Sequence, residues 1–110
     1  MADIIMLTRE ERYEQAESLK NQGQLPEAVA ELERLVADHA DFALAHSALA
    51  AWCTRLERHE DAVRHARRVC ELEPRDPFSF TALSVACMRG GRIAEAEEAL
   101  ARSRMLQAVG

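Results

Sequence analysis

Residues that interrupt helices are scarce in this chain. Of its 110 residues only 4 are glycine and 3 are proline, whereas alanine, leucine, glutamate and arginine are abundant. Those four residue types are among the best helix formers. No stretch shows the period of two that a half-buried strand requires. The composition therefore predicts an all-α protein with the length of one domain.

Other absences limit the function. No apolar run approaches the roughly 20 residues of a membrane span, and the N-terminus lacks the basic region of a signal peptide, so we expect no membrane insertion. The net charge of −5 has the wrong sign for general nucleic-acid binding. The cysteines number 3 and lack metal-type pairing. Reduced thiols and a cytoplasmic location are the expectation.

One pattern returns at a fixed step. Gly-x4-Ala begins at Gly23 and again at Gly91, and Glu57 and Ala62 occupy the same two positions halfway between them. The chain therefore divides into units of equal length, each long enough for two antiparallel helices. The predicted division is a short N-terminal arm, 1–8, followed by three repeats, 9–42, 43–76 and 77–110.

Local signals place the helix ends. Thr8 and Glu11 form a capping-box pattern that starts the first helix, and Asp41 and Asp76 are predicted to cap the third and fifth helices. Because Glu57 stands where the other repeats have glycine, we expect its turn to differ in geometry. The predicted helices are 8–22, 26–38, 42–56, 60–72, 77–89 and 93–107.

The period and the placement of Gly, Ala and Pro resemble the tetratricopeptide repeat over residues 9–110. The resemblance implies an α-α superhelix, or solenoid, of three antiparallel helix pairs. Arg12 and Gln15 depart from the family's usual Trp and Leu. This departure suits a first repeat, which has no preceding neighbour and needs a polar outer face.

In this family the first helices of the repeats line a concave groove that binds peptides. The resemblance assigns the lining to Tyr13, Glu17, Lys20, Leu44, Ser47, Ala51, Thr54, Phe78, Thr81, Val85, Met88 and Arg89. This groove would be acidic to polar at one end and apolar at the other, which suits a segment with apolar anchors. The alternative that Leu44 and Phe78 only pack at the starts of their helices stays open.

One subclass of the family holds the C-terminal carboxylates of heat-shock chaperones with Lys, Asn and Arg side chains. The matching positions here are Tyr13, Glu17, Ala48, Phe78 and Ala82. None of these residues is a cation or an amide. We therefore expect a partner of another kind.

The sequence offers little catalytic or metal-binding chemistry. His46 and Cys53 could share a helix face, but no third ligand accompanies them, and a metal site needs three or four. Cys53 and Cys87 fall at equivalent repeat positions, as small core residues would. With no nucleophile or phosphate-loop motif evident, we expect no enzyme, no metal and no cofactor.

The C-terminal end is predicted to be open and apolar, and apolar patches often mark association sites. Its residues are Leu83, Ala86, Leu100 and Leu106, to which the arm residues Ile4 and Ile5 could add. Alternatively, Met105, Leu106 and Val109 could fold back and cover this end.

Three functions follow. The first is a non-catalytic interaction module that binds a protein or peptide segment in the groove. The second is a homo-oligomeric assembly or scaffold protein that associates through its C-terminal end. The third, from the resemblance, is a small chaperone or adaptor of a secretion or pilus-type system.

Overall fold

The computed structural model describes residues 6–109, which contain six helices and, within that range, no strand. The helices are α1 (Arg9–Asn21), α2 (Leu25–Asp38), α3 (Ala43–Arg55), α4 (His59–Leu72), α5 (Pro77–Arg89) and α6 (Ile93–Val109). The all-α prediction is confirmed. Three boundaries move outward from prediction, because α2 begins at Leu25, α4 begins at His59 and α6 continues to Val109, while both ends of α1 and of α3 move inward by one residue.

The helices form three consecutive pairs, α1 with α2, α3 with α4 and α5 with α6. Successive pairs join because α2 packs against α3 and α4 packs against α5. The result is an elongated particle of 57 × 28 × 20 Å. Each repeat contacts only its neighbours, as in a solenoid.

Small residues let the two helices of each pair approach closely. Ala28, Ala62 and Ala96, equivalent positions of the second helices, are at most 1% exposed. The third repeat has Ser84 where the others have alanine in the first helix. Its hydroxyl donates to the carbonyl of Ala96 at 2.8 Å, so this buried polar group is satisfied.

Two predicted helix caps are present and one is wrong. Thr8 Oγ1 accepts from the Glu11 amide at 3.1 Å, and the Glu11 carboxylate accepts from the Thr8 amide at 2.9 Å. Asp76 accepts from the Phe78 amide at 3.0 Å. The N-cap of α3, however, is Phe42, with no side-chain cap. Asp41, one residue too early in the repeat, faces Arg9 instead, at 3.6 Å.

The turn at Glu57 is not irregular, contrary to the sequence prediction. Glu57 has φ +60°, in the same left-handed region as Gly23 at +82° and Gly91 at +78°. The Glu57 amide donates to the Thr54 carbonyl, and the Arg58 amide to the Cys53 carbonyl. This is the Schellman pattern of helix ends, and the same two bonds recur at the turns of Gly23 and Gly91.

The outer face of α1 is polar and exposed, as expected of a first repeat. Its stripe comprises Glu11, Gln15, Ser18 and Gln22. The equivalent residues of α3 are apolar and face the first repeat: Ala45, Leu49 and Trp52 are buried, and Leu56 is half-buried. Apolar surface is therefore retained where a neighbouring repeat covers it.

Candidate functional site

The first helices α1, α3 and α5 carry the predicted groove residues, and the structure exposes these unequally. Leu44, Phe78, Val85 and Met88 are large apolar side chains that are 50–74% exposed. Ser47, Ala51 and Arg89 are also exposed, whereas Tyr13, Glu17, Lys20, Thr54 and Thr81 are half-buried. Exposed apolar side chains of this size on one face are typical of a binding surface.

A cleft of about 420 Å³ lies between α3 and α5. It is lined by Ser47, Ala50, Ala51, Thr54, Arg55, Ala82, Val85, Ala86 and Arg89. Five of these residues were predicted from the sequence. The cleft exists because alanine occupies most of the facing positions, so that α3 and α5 leave space between their side chains. We call it the central cleft.

Two threonine hydroxyls near the central cleft already have partners within the chain. Thr54 Oγ1 donates to the Ala50 carbonyl at 2.8 Å. Thr81 Oγ1 donates to the Pro77 carbonyl at 3.2 Å and lies 2.8 Å from Ser103 Oγ. These hydroxyls therefore contribute little to ligand recognition. The central cleft offers a ligand mainly alanine and valine surface, together with its two guanidinium groups.

Arg55 and Arg89 stand at the rim of the central cleft, each in the last turn of its helix. Both side chains are exposed. Among the described residues, no carboxylate lies within ion-pair distance of either one. Each is favourably placed at the negative end of its own helix dipole. The rim is consequently positive, although the chain as a whole is acidic.

Two groove residues of the first repeat, Tyr13 and Lys20, contact the N-cap residue of α3 and α3 itself. The ring of Tyr13 meets Phe42 edge-on, with centroids 6.2 Å apart. Lys20 Nζ lies 5.3 Å from the ring centroid of Trp52, within the range of a cation–π contact. The structure therefore brings the second and third repeats together around the central cleft, while these two α1 residues help to join the first repeat to the second.

Sequence reasoning missed four lining residues, Ala50, Arg55, Ala82 and Ala86. Arg55 could have been found, because it occupies the same repeat position as Arg89, which was predicted. Ala82 entered the sequence analysis only because it occupies a position where the chaperone-binding subclass has a cation or an amide. Its small size, rather than its chemistry, opens the central cleft.

A second cleft, also about 420 Å³, opens at the C-terminal end. It is lined by Thr81, Ser84, Val85, Met88, Arg89 and Leu100. Of the predicted self-association residues, Leu100 lies here and Leu106 is half-buried. Leu83 packs against the hydrophobic core, and Ile4 and Ile5 lie outside the described residues. Ala86 was expected to be uncovered, but it is 3% exposed because it packs in the core cluster.

The fold-back of the last residues does not occur within the described range. Helix α6 continues to Val109, which is 86% exposed, and Met105 is 59% exposed. These side chains therefore leave the C-terminal cleft open.

The three cysteines are buried thiols. Burial raises the pKa of Cys53 to about 11 and that of Cys70 to about 11, and it also raises the pKa of Cys87. All three thus remain protonated at neutral pH and are poor nucleophiles.

His46 pairs with His65 rather than with Cys53. The two Nδ1 atoms are 3.0 Å apart, and His46 Nε2 lies 2.9 Å from the Ala40 carbonyl. Both rings are buried beneath the helix surfaces.

Over residues 6–109 no group of three or more His, Cys, Asp or Glu is arranged to hold a metal ion. Nor does this part of the chain contain a helix with the length and apolar character to cross a bilayer.

No protein-family model matches this chain, and no curated protein matches it in sequence. Solved structures do match. The crystal structure of MamA superposes with a TM-score of 0.82 at 16% identity, covering 92% of this chain and 59% of MamA. This chain therefore spans less than two-thirds of that protein.

Two further structures are similar over most of their own length. The second TPR of Spaghetti (RPAP3), bound to the HSP90 peptide SRMEEVD, has a TM-score of 0.77 at 16% identity, covering 89% of this chain and 91% of that one. The type III secretion translocator chaperone SycD of Yersinia enterocolitica has a TM-score of 0.80 at 19% identity, covering 97% of this chain and 81% of that one. At these identities the likeness establishes the fold, which is an α-α superhelix of three helix pairs like those of tetratricopeptide-repeat structures.

Proposed function

We propose that this chain is a non-catalytic interaction module that binds a segment of a partner protein in the groove of its first helices. The observation that carries the proposal is the central cleft, an apolar cavity of about 420 Å³ between α3 and α5. Exposed Val85 at the cleft and exposed Phe78 and Met88 on α5 extend its apolar surface. Ligand sites are commonly concave and mainly apolar, with a few polar groups that set specificity.

The buried, protonated thiols and the mutually paired histidines support a non-catalytic role, since neither set supplies an activated nucleophile or base. The same three unpaired thiols support a cytoplasmic location, where cysteines remain reduced. The likeness to the RPAP3 repeat supports peptide binding as a use of this fold. The lack of cations and amides at the chaperone-binding positions favours a different peptide chemistry.

The test is Val85→Asp. A carboxylate at the cleft would lose its solvation when an apolar side chain entered, so we expect affinity for the partner to fall at least about tenfold, or about 1.4 kcal/mol. The partner is first isolated by pull-down from the native cell, and its affinity for purified wild-type and variant chains is then measured. Because Val85 is half exposed, the thermal unfolding of the variant should stay close to that of the wild type.

Val109→Asp is the matched control. It introduces the same change at a side chain that is 86% exposed and far along α6, so it should leave affinity unchanged. A partner that binds the wild type and Val85→Asp equally well would remove the groove from consideration.

A second candidate function is homo-oligomeric assembly through the C-terminal end. The observation that favours it is the open C-terminal cleft, with Met88 50% and Met105 59% exposed. The equivalent residues of the second repeat, Ser47, Ala50, Ala51, Thr54 and Arg55, face α5 of the third repeat across the central cleft. The test is the mass of the particle in solution.

A third candidate is the more specific role of a small chaperone or adaptor in a secretion system. It is supported by the likeness to the type III secretion translocator chaperone SycD over 97% of this chain. If this role is correct, co-expression with the captured partner should increase the partner's soluble yield. A partner that is equally soluble alone would contradict it.

A further inference from the structure

The two arginines at the rim of the central cleft occupy the same position in consecutive repeats. Arg55 closes α3 and Arg89 closes α5, and both line one cavity. The first repeat has Asn21 at this position. Two side chains of one charge are thus brought to the same site by the repeat itself.

These arginines differ from those on the opposite side of the molecule. The second helices and the turns before them carry six arginines that face carboxylates: Arg34 faces Glu31, Arg58 faces Glu33 and Asp61, Arg64 faces Asp61, Arg67 faces Glu95, Arg68 faces Glu71, and Arg92 faces Glu60 and Glu95. Arg75, Arg102 and Arg104 also lack a carboxylate partner among residues 6–109, but they do not line the central cleft. In a chain with five excess negative charges, unpaired cations at a cavity are available for a ligand.

The surroundings of Arg55 and Arg89 define what that ligand must be. The floor of the central cleft is alanine and valine, and the hydroxyls of Thr54 and Thr81 are already hydrogen-bonded within the chain. An apolar side chain would bury this floor. A guanidinium binds a carboxylate through two parallel hydrogen bonds. A ligand with an apolar group and an anion about one side chain apart would therefore fill both parts of the site, the apolar floor and the two guanidinium groups.

We infer that the partner segment carries an apolar side chain that enters the central cleft and one or two adjacent Asp or Glu residues that pair with Arg55 and Arg89. This inference rests on the proposed function, because it specifies the chemistry of the segment that the groove binds. A peptide is favoured over a nucleic acid because the overall charge is −5 and because the floor of the cleft is aliphatic, with no aromatic side chain for base stacking.

The probe is a random dodecapeptide library displayed on phage and selected against the full chain. The selected peptides should place Asp or Glu within two positions of Leu, Ile, Met or Phe more often than the unselected library does. A synthetic peptide of the consensus should bind the wild type in fluorescence anisotropy. Its affinity should weaken with added salt, since the ion pairs are exposed to solvent.

Arg55→Gln and Arg89→Gln should each reduce affinity for that acidic peptide at least about fivefold, and the charge-reversed pair Arg55→Glu with Arg89→Glu should select peptides without the acidic preference. Arg75→Gln is the matched control, because Arg75 is likewise exposed and lacks a carboxylate partner in the described range but lies outside the cleft. It should leave affinity unchanged.

The outcomes separate this inference from the proposed function. Peptides that bind the wild type and are lost in Val85→Asp, but that carry no excess of Asp or Glu, overturn the inference and leave the groove as the binding site. A library that yields no binder overturns both. A single-stranded thymidine oligonucleotide that displaces the acidic peptide at equal concentration would overturn the choice of a peptide.

Discussion

Glu57 shows how the repeat constrains a single residue. It has the left-handed backbone conformation that glycine adopts at the other two turns, because the following helix must begin at the same place for α3 and α4 to pair. An L-residue in this region costs roughly 1–2 kcal/mol. The packing of the second repeat therefore maintains a backbone conformation that the residue itself disfavours.

Glu57→Gly should stabilise the protein. Glycine relieves the strain but has more entropy to lose on folding, so we expect the free energy of unfolding to rise by about 1 kcal/mol and the midpoint of thermal unfolding by about 4 °C. Chemical denaturation and thermal melts of the wild type and variant measure both quantities.

Gly91→Ala is the reverse experiment. A Cβ at Gly91 would have open space around it, but φ is +78°, so the substitution should destabilise by a similar amount through backbone strain alone. If Glu57→Gly instead lowers stability, the Glu57 side chain contributes more than its backbone strain costs.

At the scale of secondary-structure elements, the His46–His65 pair connects three parts of the chain. His46 belongs to α3, His65 to α4, and the Ala40 carbonyl to the loop between α2 and α3. Since a carbonyl can only accept, His46 Nε2 carries the proton in that contact. His46 Nδ1 then accepts, and His65 Nδ1–H donates across the 3.0 Å between them.

This arrangement has no place for an added proton. A proton on His46 Nδ1 would confront the His65 N–H, and a proton on His65 would go to Nε2, a buried atom without a hydrogen-bond partner among the described residues. Burial and the neighbouring His46 lower the pKa of His65 to about 4, with Arg64 adding to the effect and Asp61 and Glu33 opposing it. Burial also lowers the pKa of His46, although its bond to Ala40 opposes the shift, and Arg68 adds to the lowering.

Stability should therefore fall on mild acidification. Both folded-state pKa values lie below the unfolded value of 6.5, so the pair's contribution is complete above pH 6.5 and is lost as the pH falls, for His65 over the range down to its folded pKa of about 4. Each histidine changes the free energy of unfolding by up to about 1.4 kcal/mol per pH unit in this window. Urea denaturation at several pH values between about 7 and 5, above the range of ordinary carboxyl groups, measures the slope.

Replacing both histidines by leucine provides the comparison, because removing only one would leave its partner nitrogen buried and unsatisfied. The doubly substituted chain should show little change in stability over this pH range. An equally steep decline in that variant would assign the acid sensitivity to other groups.

At the scale of the whole molecule, the two ends of the solenoid differ. The outer face of α1 is polar and exposed, whereas the C-terminal cleft presents Val85, Met88 and Leu100. Apolar patches on monomers are usually small unless they serve association. The difference between the ends favours contact through the C-terminal end of one chain with that of another.

We expect sedimentation at micromolar concentration to give about twice the mass of 12.3 kDa, since a two-fold pairing of identical surfaces is the commonest homo-oligomer. Met88→Asp should return the particle to a monomer by placing a charge in the C-terminal cleft. Because Met88 also belongs to the predicted groove lining, affinity for the partner segment is measured on the same variant, and a loss of mass with unchanged affinity would assign the C-terminal cleft to assembly.

Leu44→Asp is the control for assembly, because Leu44 is also about half exposed but lies at the start of α3. Its mass in solution should equal that of the wild type. A wild-type particle of 12.3 kDa at these concentrations would remove the assembly function.

The sequence by itself determined the all-α fold and the helix pairing. Its small residues, such as Ala28, Ala62 and Ala96, recur at a step that only paired helices satisfy. Its capping signals at Thr8 and Asp76 could be read from the sequence because they are local hydrogen bonds that need no distant partner. Where the third capping signal was read one residue early, at Asp41, the repeat register would have pointed to Phe42.

Only the tertiary structure decided how separate helices combine. The conformation of Glu57 follows from the packing of α3 with α4, against the residue's own preference. His46 pairs with His65, and Arg55 and Arg89 line one cavity. Both arrangements bring together side chains from different helices. The sequence pattern within one helix does not determine the distance between side chains of two helices. The groove could be predicted as a surface, but the size of its central cleft and its positive rim depend on the spacing between α3 and α5.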